Sequence, residues 1–152
     1  IPSCRPRIHL ETMTIEHLVI TGVETAGPST TAEALALRMT ETGIGSIVIE
    51  EGMEPVGIVT DRDLATRVDS AGRDASATTA EEIMTPDPVT VGVDASLLAL
   101  TETMAANSVR RVPVTNEEGT LVGIVTLDDV MQLLSTELSN LAAVVEAESP
   151  PY

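Results

Sequence analysis

The chain has 152 residues, which is enough for one domain or for two small units that share a core. Acidic residues outnumber basic residues 24 to 8, and the resulting net charge of −16 disfavours binding to nucleic acid or to an anionic membrane surface. The hydrophobic share of 43% predicts a globular chain, while no apolar run reaches the roughly 18 residues of a membrane span and no signal-peptide pattern is visible.

The chain divides into four predicted segments. Residues 1–12 contain two prolines, two arginines and the single Cys4 without clear periodicity, and we expect them to be an N-terminal extension outside the core. A first repeat is predicted over 13–78, a second over 79–145, and a C-terminal tail over 146–152.

The first repeat is predicted to contain a helix that starts at Thr30 and ends at Gly43, strands at 46–50 and 55–59, and a helix from Thr60 to about residue 68. Thr30 with Glu33 has the spacing of a capping box, and Gly43 is typical of a left-handed helix end. The two β-branched runs predict a hairpin.

The second repeat is predicted in the same order after a polar linker at 69–80. Its predicted elements are a short helix over 80–84 opened by Thr79 with Glu82, a strand at 89–91, a helix over 95–106 capped by Asp94 and ended by Asn107, a hairpin of 111–115 with 121–125, and a helix from Thr126 to about residue 145.

One motif occurs twice. The segment from Gly57 to Asp63, Gly-Ile-Val-Thr-x-x-Asp, returns 66 residues later from Gly123 to Asp129, and residues 39–49 return 65 residues later. Two copies are too few for a solenoid, which needs three or more. The sequence therefore predicts two copies of one small α/β unit packed against each other, with function in the clefts between them.

The recurring Thr-x-x-Asp has two readings. A Thr that caps a helix and an Asp in its first turn stabilise the helix without any ligand. Alternatively, the carboxylate can accept two hydrogen bonds from a ribose diol, while the Thr hydroxyl and the free helix amides bind a phosphate or ribose oxygen. Recurrence on both copies favours ligand binding.

These residues resemble the cystathionine-β-synthase (CBS) domain pair. The resemblance covers about residues 15–134 and includes Ile83-Met84-Thr85-x-x-Pro88-Val89-Thr90-Val91 and Arg110-Arg111-Val112-Pro113-Val114. It implies an α/β (α+β) fold of two tandem β-α-β-β-α units with pseudo-twofold symmetry. It also implies an adenosine-containing regulatory ligand in two clefts between the copies.

The resemblance assigns site residues position by position. Thr60 and Asp63 would serve one cleft, and Thr126 and Asp129 the other. The positions implied beside the base are Ile44, Gly45, Ser46, Ser108, Val109 and Arg110, with Pro113 in the adjoining motif. The positions implied on the strands that lead into each copy are Val23, Thr25, Thr85 and Thr90.

The two copies differ in their arginines. Arg62 stands where the second copy has Asp128, and Arg110-Arg111 stand where the first copy has Gly45-Ser46. Arginine gives bidentate contacts to phosphate, so positive charge near the clefts of so acidic a chain predicts an adenine nucleotide such as AMP, ADP or ATP. The alternative is that these arginines pair with surface carboxylates. We expect two inequivalent clefts.

No group of residues predicts catalysis or a resident metal. The serines have no His within obvious reach, and a dedicated site at the paired aspartates is not expected, although a bound nucleotide can carry Mg²⁺. We therefore expect a regulatory module rather than an enzyme, with no prosthetic group. The alternatives are a structural or oligomerising module with vestigial clefts, and binding of S-adenosylmethionine or another adenosyl ligand.

The expected partners are a second copy of the chain and an unknown regulated protein, with no nucleic acid and no membrane. The apolar residues that suggest a homodimer are Leu64, Leu127, Val130, Leu133 and Leu134. All eight basic residues are arginine, and the absence of lysine at this net charge favours the high-salt cytoplasm of an extreme halophile. One cysteine permits no intrachain disulfide, which fits a cytoplasmic location.

Overall fold

The structure is a computed structural model that describes residues 14–149. The predicted extension 1–12 and the last three residues of the predicted tail lie outside the described residues. The elements are a 3₁₀-helix Ile15–Leu18, β1 Thr25–Ala26, α1 Ala32–Thr42, β2 Ser46–Glu51, β3 Glu54–Thr60, α2 Asp61–Asp63, a π-helix Leu64–Asp69, α3 Ala80–Ile83, β4 Thr85–Pro86, β5 Val91–Gly92, α4 Leu97–Asn107, β6 Arg111–Thr115, β7 Leu121–Thr126 and α5 Leu127–Glu148.

The strands form two small sheets. The first sheet has the order β1-β2-β3-β4 and the second has the order β5-β6-β7. In each sheet a short strand runs parallel to the first strand of an antiparallel hairpin. Two helix-bearing units of the same design confirm the predicted α/β fold of duplicated units.

Each unit buries an apolar core of its own. The cores use repeat-equivalent positions, since Leu35 and Leu100 are both fully buried, as are Val59 and Val125. The other equivalent pairs in the cores are Met39 with Met104, Ile47 with Val112, and Ile49 with Val114. The repeated apolar pattern therefore explains why both halves adopt one fold.

The two hairpin turns differ in length, which explains why the repeat offset is 65 residues before the turn and 66 residues after it. In the first hairpin the turn residues Gly52 and Met53 have φ of 60° and 69°, as a two-residue type I′ turn requires. The second hairpin connects Thr115 to Leu121 through a longer loop, in which the Asn116 side chain accepts from the amides of Glu118 and Thr120 at 3.0 Å each.

The units exchange the segments that lead into them. β4 belongs to the segment leading into the second unit, yet it pairs with β3 of the first, with Thr85 opposite Ile58. In the equivalent contact, Ile20 exchanges backbone hydrogen bonds of 2.9 and 3.1 Å with Ile124 in β7. The lead-in segments, residues 14–24 and 79–89, thus each cover the sheet of the other unit.

The glycine of each Gly-Ile-Val motif lies under a lead-in segment. A methyl group on Gly123 would stand 2.7 Å from the Ile20 carbonyl oxygen and collide with Val19. A methyl group on Gly57 would collide with the equivalent side chain, Met84. Glycine is therefore needed at both positions because another segment approaches so closely.

Several predicted helix ends are confirmed. Gly43 has φ 68° and ends α1, and Thr79 and Glu82 form the predicted capping box of α3. Thr60 and Thr126 accept hydrogen bonds from the amides of Asp63 and Asp129, as expected of caps.

The predicted caps of α1 and α4 are wrong, by one residue for α1 and by two residues for α4. α1 is capped by Thr31, whose hydroxyl accepts from the Ala34 amide, and the predicted cap Thr30 instead uses its carbonyl to accept from Ala80 at 2.7 Å. α4 is capped by Ser96 rather than Asp94, because Asp94 lies in the turn after β5.

The end of α4 and the strand before it also differ from the prediction. Asn107 is the last helical residue and its side-chain amide donates to the Thr103 carbonyl, so the left-handed residue is Ser108, with φ 53°. The strand predicted at 89–91 is observed at Val91–Gly92, where it pairs with β6.

The two helices that follow the Thr-x-x-Asp corners are unlike each other. The helix predicted from Thr60 to about residue 68 is observed as α2, which has three residues, followed by a π-helix to Asp69. α5 has 22 residues and ends at Glu148, beyond the predicted residue 145. Of the residues predicted to form a dimer surface, Val130 is buried in the second core, and Leu64 and Leu127 pack against the cores.

Candidate functional site

The two Thr-x-x-Asp corners have the same local geometry. The Asp63 carboxylate accepts from the Thr60 amide at 2.8 Å and from the Thr60 hydroxyl at 2.9 Å. Asp129 accepts from the Thr126 amide at 3.3 Å and from the Thr126 hydroxyl. In each corner a single carboxylate oxygen accepts both bonds, so the other oxygen is the one available to a ligand.

The corners differ in what lies beside that second oxygen. The Arg67 guanidinium approaches the second oxygen of Asp63 at 3.6 Å and also donates to the carbonyls of Ile83 and Met84. The equivalent of Arg67 in the second unit is Leu133, which has no charge. Asp129 is therefore the less constrained of the two carboxylates.

One cleft opens beside Thr60, and we call it the Thr60 cleft. It has a volume of about 330 Å³ and combines residues of the first hairpin with the second lead-in segment and the end of α4. Its lining residues are Ile58, Thr60, Thr85, Asp87, Pro88, Val89, Asn107, Val109, Arg110 and Arg111. The cleft therefore requires both units.

A second cleft, the Thr126 cleft, is the pseudo-symmetric counterpart of the first. It has a volume of about 270 Å³ and is lined by Ile20, Gly22, Val23, Glu24, Ile44, Gly45, Ser46, Arg111, Ile124 and Thr126. Ile124 and Thr126 are the repeat equivalents of Ile58 and Thr60. The same exchange of lead-in segments thus builds both clefts.

A third cavity lies between the two corners, and we call it the arginine cavity. It has a volume of about 450 Å³ and is lined by Thr60, Asp61, Arg62, Arg110, Arg111, Thr126 and Asp128. The arginines that differ between the repeats in sequence therefore meet in one place. This cavity offers three guanidinium groups to an anion, whereas the hydroxyls of Thr60 and Thr126 already donate to Asp63 and Asp129.

The pairing of these arginines is uneven. Arg110 forms an exposed ion pair with Asp128, with 3.4 Å between Nη2 and Oδ1. Within residues 14–149, Arg62 and Arg111 have no carboxylate oxygen within 4.0 Å. The alternative in which the arginines serve surface ion pairs thus describes Arg110 but not the other two.

Most of the predicted site residues line one of these three cavities. Those that do are Val23, Ile44, Gly45, Ser46, Thr60, Arg62, Thr85, Val109, Arg110, Arg111 and Thr126. Asp63 lines none of the three, and Asp129 lines a separate surface groove with His17 and Gln132. Both Asp side chains lie back along their helices because they complete capping boxes.

Four other predicted residues lie elsewhere. The Thr25 hydroxyl donates to Glu50 at 2.9 Å, Thr90 is exposed outside the cavities, and Pro113 is buried. Ser108 lines an apolar depression against α4 and Leu127. Pro113 alternates along β6 with Val112 and Val114 of the second core, so it lies on the opposite face of the strand, which is also covered.

Several lining residues were missed from the sequence. They are Ile20, Gly22, Glu24, Ile58, Asp61, Asp87, Pro88, Val89, Asn107, Ile124 and Asp128. The signal for some of them was present, since residues 20–24 and 85–89 are equivalent under the 65-residue offset. Ile58 and Ile124 line the clefts because of where the lead-in segments cross β3 and β7, and that position is not visible in the sequence.

The described residues contain neither a metal-binding cluster nor a membrane-spanning helix. Within residues 14–149, no three His, Cys, Asp or Glu side chains come together in a way that could hold a metal ion. In the same part of the chain, no helix combines the length and apolar character needed to cross a membrane.

Comparison with known proteins gives a consistent result. The family model for the CBS domain matches twice, at residues 15–70 and 80–136. An uncharacterized protein of Methanopyrus kandleri is 39% identical over 112 residues, which are 73% of this chain and 57% of that protein. The CBS domain-containing protein YhcV of Bacillus subtilis is 34% identical over 130 residues, which are 85% of this chain and 89% of that protein.

A solved structure shares the architecture. It is described as Hypoxic Response Protein I with two coordinated zinc ions, and the curated protein of that name is from Mycobacterium tuberculosis. The two chains are 34% identical with a TM-score of 0.71, and the match covers 79% of this chain and 98% of that one.

Proposed function

Because this chain belongs to the CBS domain family, with two copies of the domain, we propose that it is a regulatory module that binds an adenine nucleotide between those copies. Binding would change the packing of the copies, and a regulated protein would recognise the change. The proposal includes no catalysis and no prosthetic group, and any Mg²⁺ would be carried by the nucleotide.

The observation that carries the proposal is the arrangement of the three cavities. Each cleft has an apolar wall, from Ile58 and Val109 in one and from Ile44 and Ile124 in the other, which suits an adenine ring. The arginine cavity adjoins both clefts and would hold the phosphate. Bases at the two sides and phosphate in the middle match the chemistry of a nucleotide.

The threonine corners would bind the rest of the ligand. Thr60 and Thr126 line both their cleft and the arginine cavity, so each hydroxyl lies at the junction of the base and phosphate positions. The second carboxylate oxygens of Asp63 and Asp129 are proposed to accept from ribose hydroxyls. This role requires the ligand to reach the helix start from the adjoining cavities.

The charges favour a phosphate-bearing ligand over S-adenosylmethionine. Three guanidinium groups line one cavity in a chain of net charge −16. S-adenosylmethionine has no phosphate, carries a positive sulfonium centre and offers a single carboxylate, so it brings far less negative charge to the three arginines than a nucleotide does. AMP, ADP and ATP are therefore the proposed ligands.

The proposed assembly is a homodimer through α5. Met131, Leu134, Leu138, Leu141 and Val145 recur at alternating intervals of three and four residues and are 41–66% exposed. This spacing is the a/d pattern of a two-helix seam, and α5 contains no basic residue that would interrupt it. We call these five residues the α5 seam. The absence of lysine at a net charge of −16 supports the further proposal that the protein belongs to the high-salt cytoplasm of a halophile.

A second candidate function is supported by one observation. Asp63 and Asp129 both complete capping boxes and neither lines a cleft. A structural or oligomerising module with vestigial clefts would need these two residues only to cap their helices. Under this alternative the α5 seam would carry the function.

Calorimetry separates the two candidates. The protein in molar KCl is titrated with AMP, ADP, ATP, NAD and S-adenosylmethionine. We expect the adenine nucleotides to bind at micromolar concentration and S-adenosylmethionine to bind more weakly. A panel in which nothing binds below millimolar concentration would favour the oligomerising module.

Paired substitutions test the site. The double variant Arg110→Gln with Arg111→Gln should weaken AMP binding by about 100-fold or more, since it removes two hydrogen bonds to a charged group and each is worth about 1.5–3 kcal/mol. Arg73→Gln is the matched control, because Arg73 makes an exposed ion pair with Glu82 and lines none of the three cavities. Asp63→Ala and Asp129→Ala should each remove one ribose contact. If both bind AMP like the parent, the carboxylates are caps only.

A further inference from the structure

Arg111 occupies a unique position among the described cavities. It is the first residue of β6, where it lies opposite Thr126, and it lines the Thr60 cleft, the Thr126 cleft and the arginine cavity. Its repeat equivalent is Ser46, which lines only the Thr126 cleft. The two clefts are related by pseudo-symmetry, but among the described residues Arg111 is the one arginine that lines both of them.

The position of the guanidinium depends on Gly45. Arg111 Nη2 lies 3.3 Å from where a Cβ on Gly45 would stand, and the Asp61 carboxylate lies 3.4 Å from the same point. The residue equivalent to Gly45 in the second repeat is Arg110. A Cβ at 45 would require the guanidinium to shift by a few tenths of an ångström, so glycine here leaves room for Arg111 of one repeat to reach the other.

On the basis of the proposed function, we infer that Arg111 is one phosphate-binding group shared by the two clefts, so that a nucleotide in one cleft weakens binding of a phosphate-bearing nucleotide in the other. A guanidinium binds one phosphate bidentately, and once it is engaged, a second phosphate meets the charge of the first. Asp61 and Asp128, which line the same cavity, add to that repulsion.

The charges also assign the order of filling. The Thr60 cleft contains Arg110 besides Arg111, with Asp87 as its acidic residue. Among the described residues, the Thr126 cleft contains Glu24 and no basic residue besides Arg111. The first phosphate-bearing ligand is therefore held in the Thr60 cleft, and the Thr126 cleft is filled second.

The experiment uses the full chain labelled at isoleucine methyl groups, titrated in molar KCl and followed by NMR. Ile58 lines the Thr60 cleft and Ile44 lines the Thr126 cleft, so the two resonances report occupancy separately. With AMP we expect Ile58 to shift first and Ile44 at a concentration about 10-fold higher, within the usual range of site coupling. With adenosine, which has no phosphate, the separation should disappear.

Substitutions at neighbouring arginines provide the matched comparison. Arg111→Gln should weaken AMP at both clefts and narrow the separation of the two Ile titrations to the part that Arg110 and Glu24 produce, whereas Arg110→Gln should weaken AMP only at the Thr60 cleft. Arg111→Lys keeps the charge without the bidentate contact and should fall between Arg111→Gln and the parent at both clefts. It also tests the inference if the Gln variant does not fold.

Equal and independent filling by AMP in the parent, or an effect of Arg111→Gln or Arg111→Lys on one cleft alone, overturns the shared arginine and leaves nucleotide binding intact. If neither AMP nor adenosine shifts either methyl group, the shared arginine and the proposed function both fall.

Discussion

The substitution Gly123→Ala tests how the two units are joined. The added methyl group would stand 2.7 Å from the Ile20 carbonyl oxygen, which is a backbone atom and cannot rotate away. To make room, the first lead-in segment must move off β7. The perturbation therefore acts where the first lead-in segment packs on the second unit, through Ile20 and through Val19, which packs against the second core.

The cost follows from the contacts that would be lost. The bridge between Ile20 and Ile124 contains two hydrogen bonds, of 2.9 and 3.1 Å, each worth about 1 kcal/mol net. Overpacking of a close contact costs about 1–3 kcal/mol. We expect Gly123→Ala to lower the free energy of unfolding by about 3–5 kcal/mol, the sum of these two costs.

Two other glycines calibrate the measurement. Gly57→Ala meets Met84, a flexible side chain that can shift while β3 and β4 stay paired, so we expect a loss of about 1 kcal/mol. Gly27→Ala meets no atom of residues 14–149 within 4 Å and needs no left-handed backbone, so its effect should lie within about 0.5 kcal/mol of zero.

The assay is denaturant unfolding at one fixed KCl concentration, with the three variants and the parent compared at equal slope. The expected order of destabilisation is Gly123→Ala, then Gly57→Ala, then Gly27→Ala. If Gly123→Ala is no less stable than Gly27→Ala, the lead-in segment does not cross β7 as described and the construction of the Thr126 cleft is wrong.

Three further predictions concern salt, acid and assembly. The melting temperature should rise with KCl concentration, because screening reduces the self-repulsion of a net charge of −16, and a flat melting temperature would contradict the halophilic proposal. Hydrogen bonds from the Thr79 amide and hydroxyl hold the pKa of Glu82 below its ordinary value, so ionised Glu82 stabilises the fold at neutral pH and this contribution is lost as the pH falls through the lowered pKa. Denaturant unfolding of Glu82→Gln should therefore show less loss of stability in acid than the parent, and identical pH profiles would refute that role. Leu138→Glu in the α5 seam should convert a dimer to a monomer in analytical ultracentrifugation, whereas Ser139→Glu, which adds the same charge outside the seam, should not; a monomeric parent would refute the dimer.

Much of the fold could be predicted because it depends on local rules applied twice. The hairpins follow from β-branched runs separated by turn residues, and the Thr60 and Thr126 corners follow from the spacing of Thr and Asp. The predicted caps Thr30 and Asp94 were wrong because a nearby hydroxyl residue caps the helix in each case, Thr31 for α1 and Ser96 for α4. Thr30 lies next to Thr31, and the Thr30 carbonyl is engaged by Ala80 from another helix.

The site was predicted less completely than the fold. Recurrence identified the threonine corners, and the resemblance to the CBS family placed Val109, Arg110 and Ile44 near a ligand. It did not reveal that Asp63 and Asp129 would close capping boxes on their own helices. A carboxylate three residues after a cap can serve the helix or a ligand, and the sequence does not distinguish these uses.

The sequence by itself determined that this protein is two copies of one unit, because buried positions and helix starts recur at a constant offset. Tertiary structure alone decided that the units exchange lead-in segments and that Arg62, Arg110 and Arg111 meet in one cavity. These contacts join residues in different copies, and their positions depend on how two cores pack rather than on any local preference. In sequence the arginines are divided between the repeats, and only the packing of the repeats makes them one site.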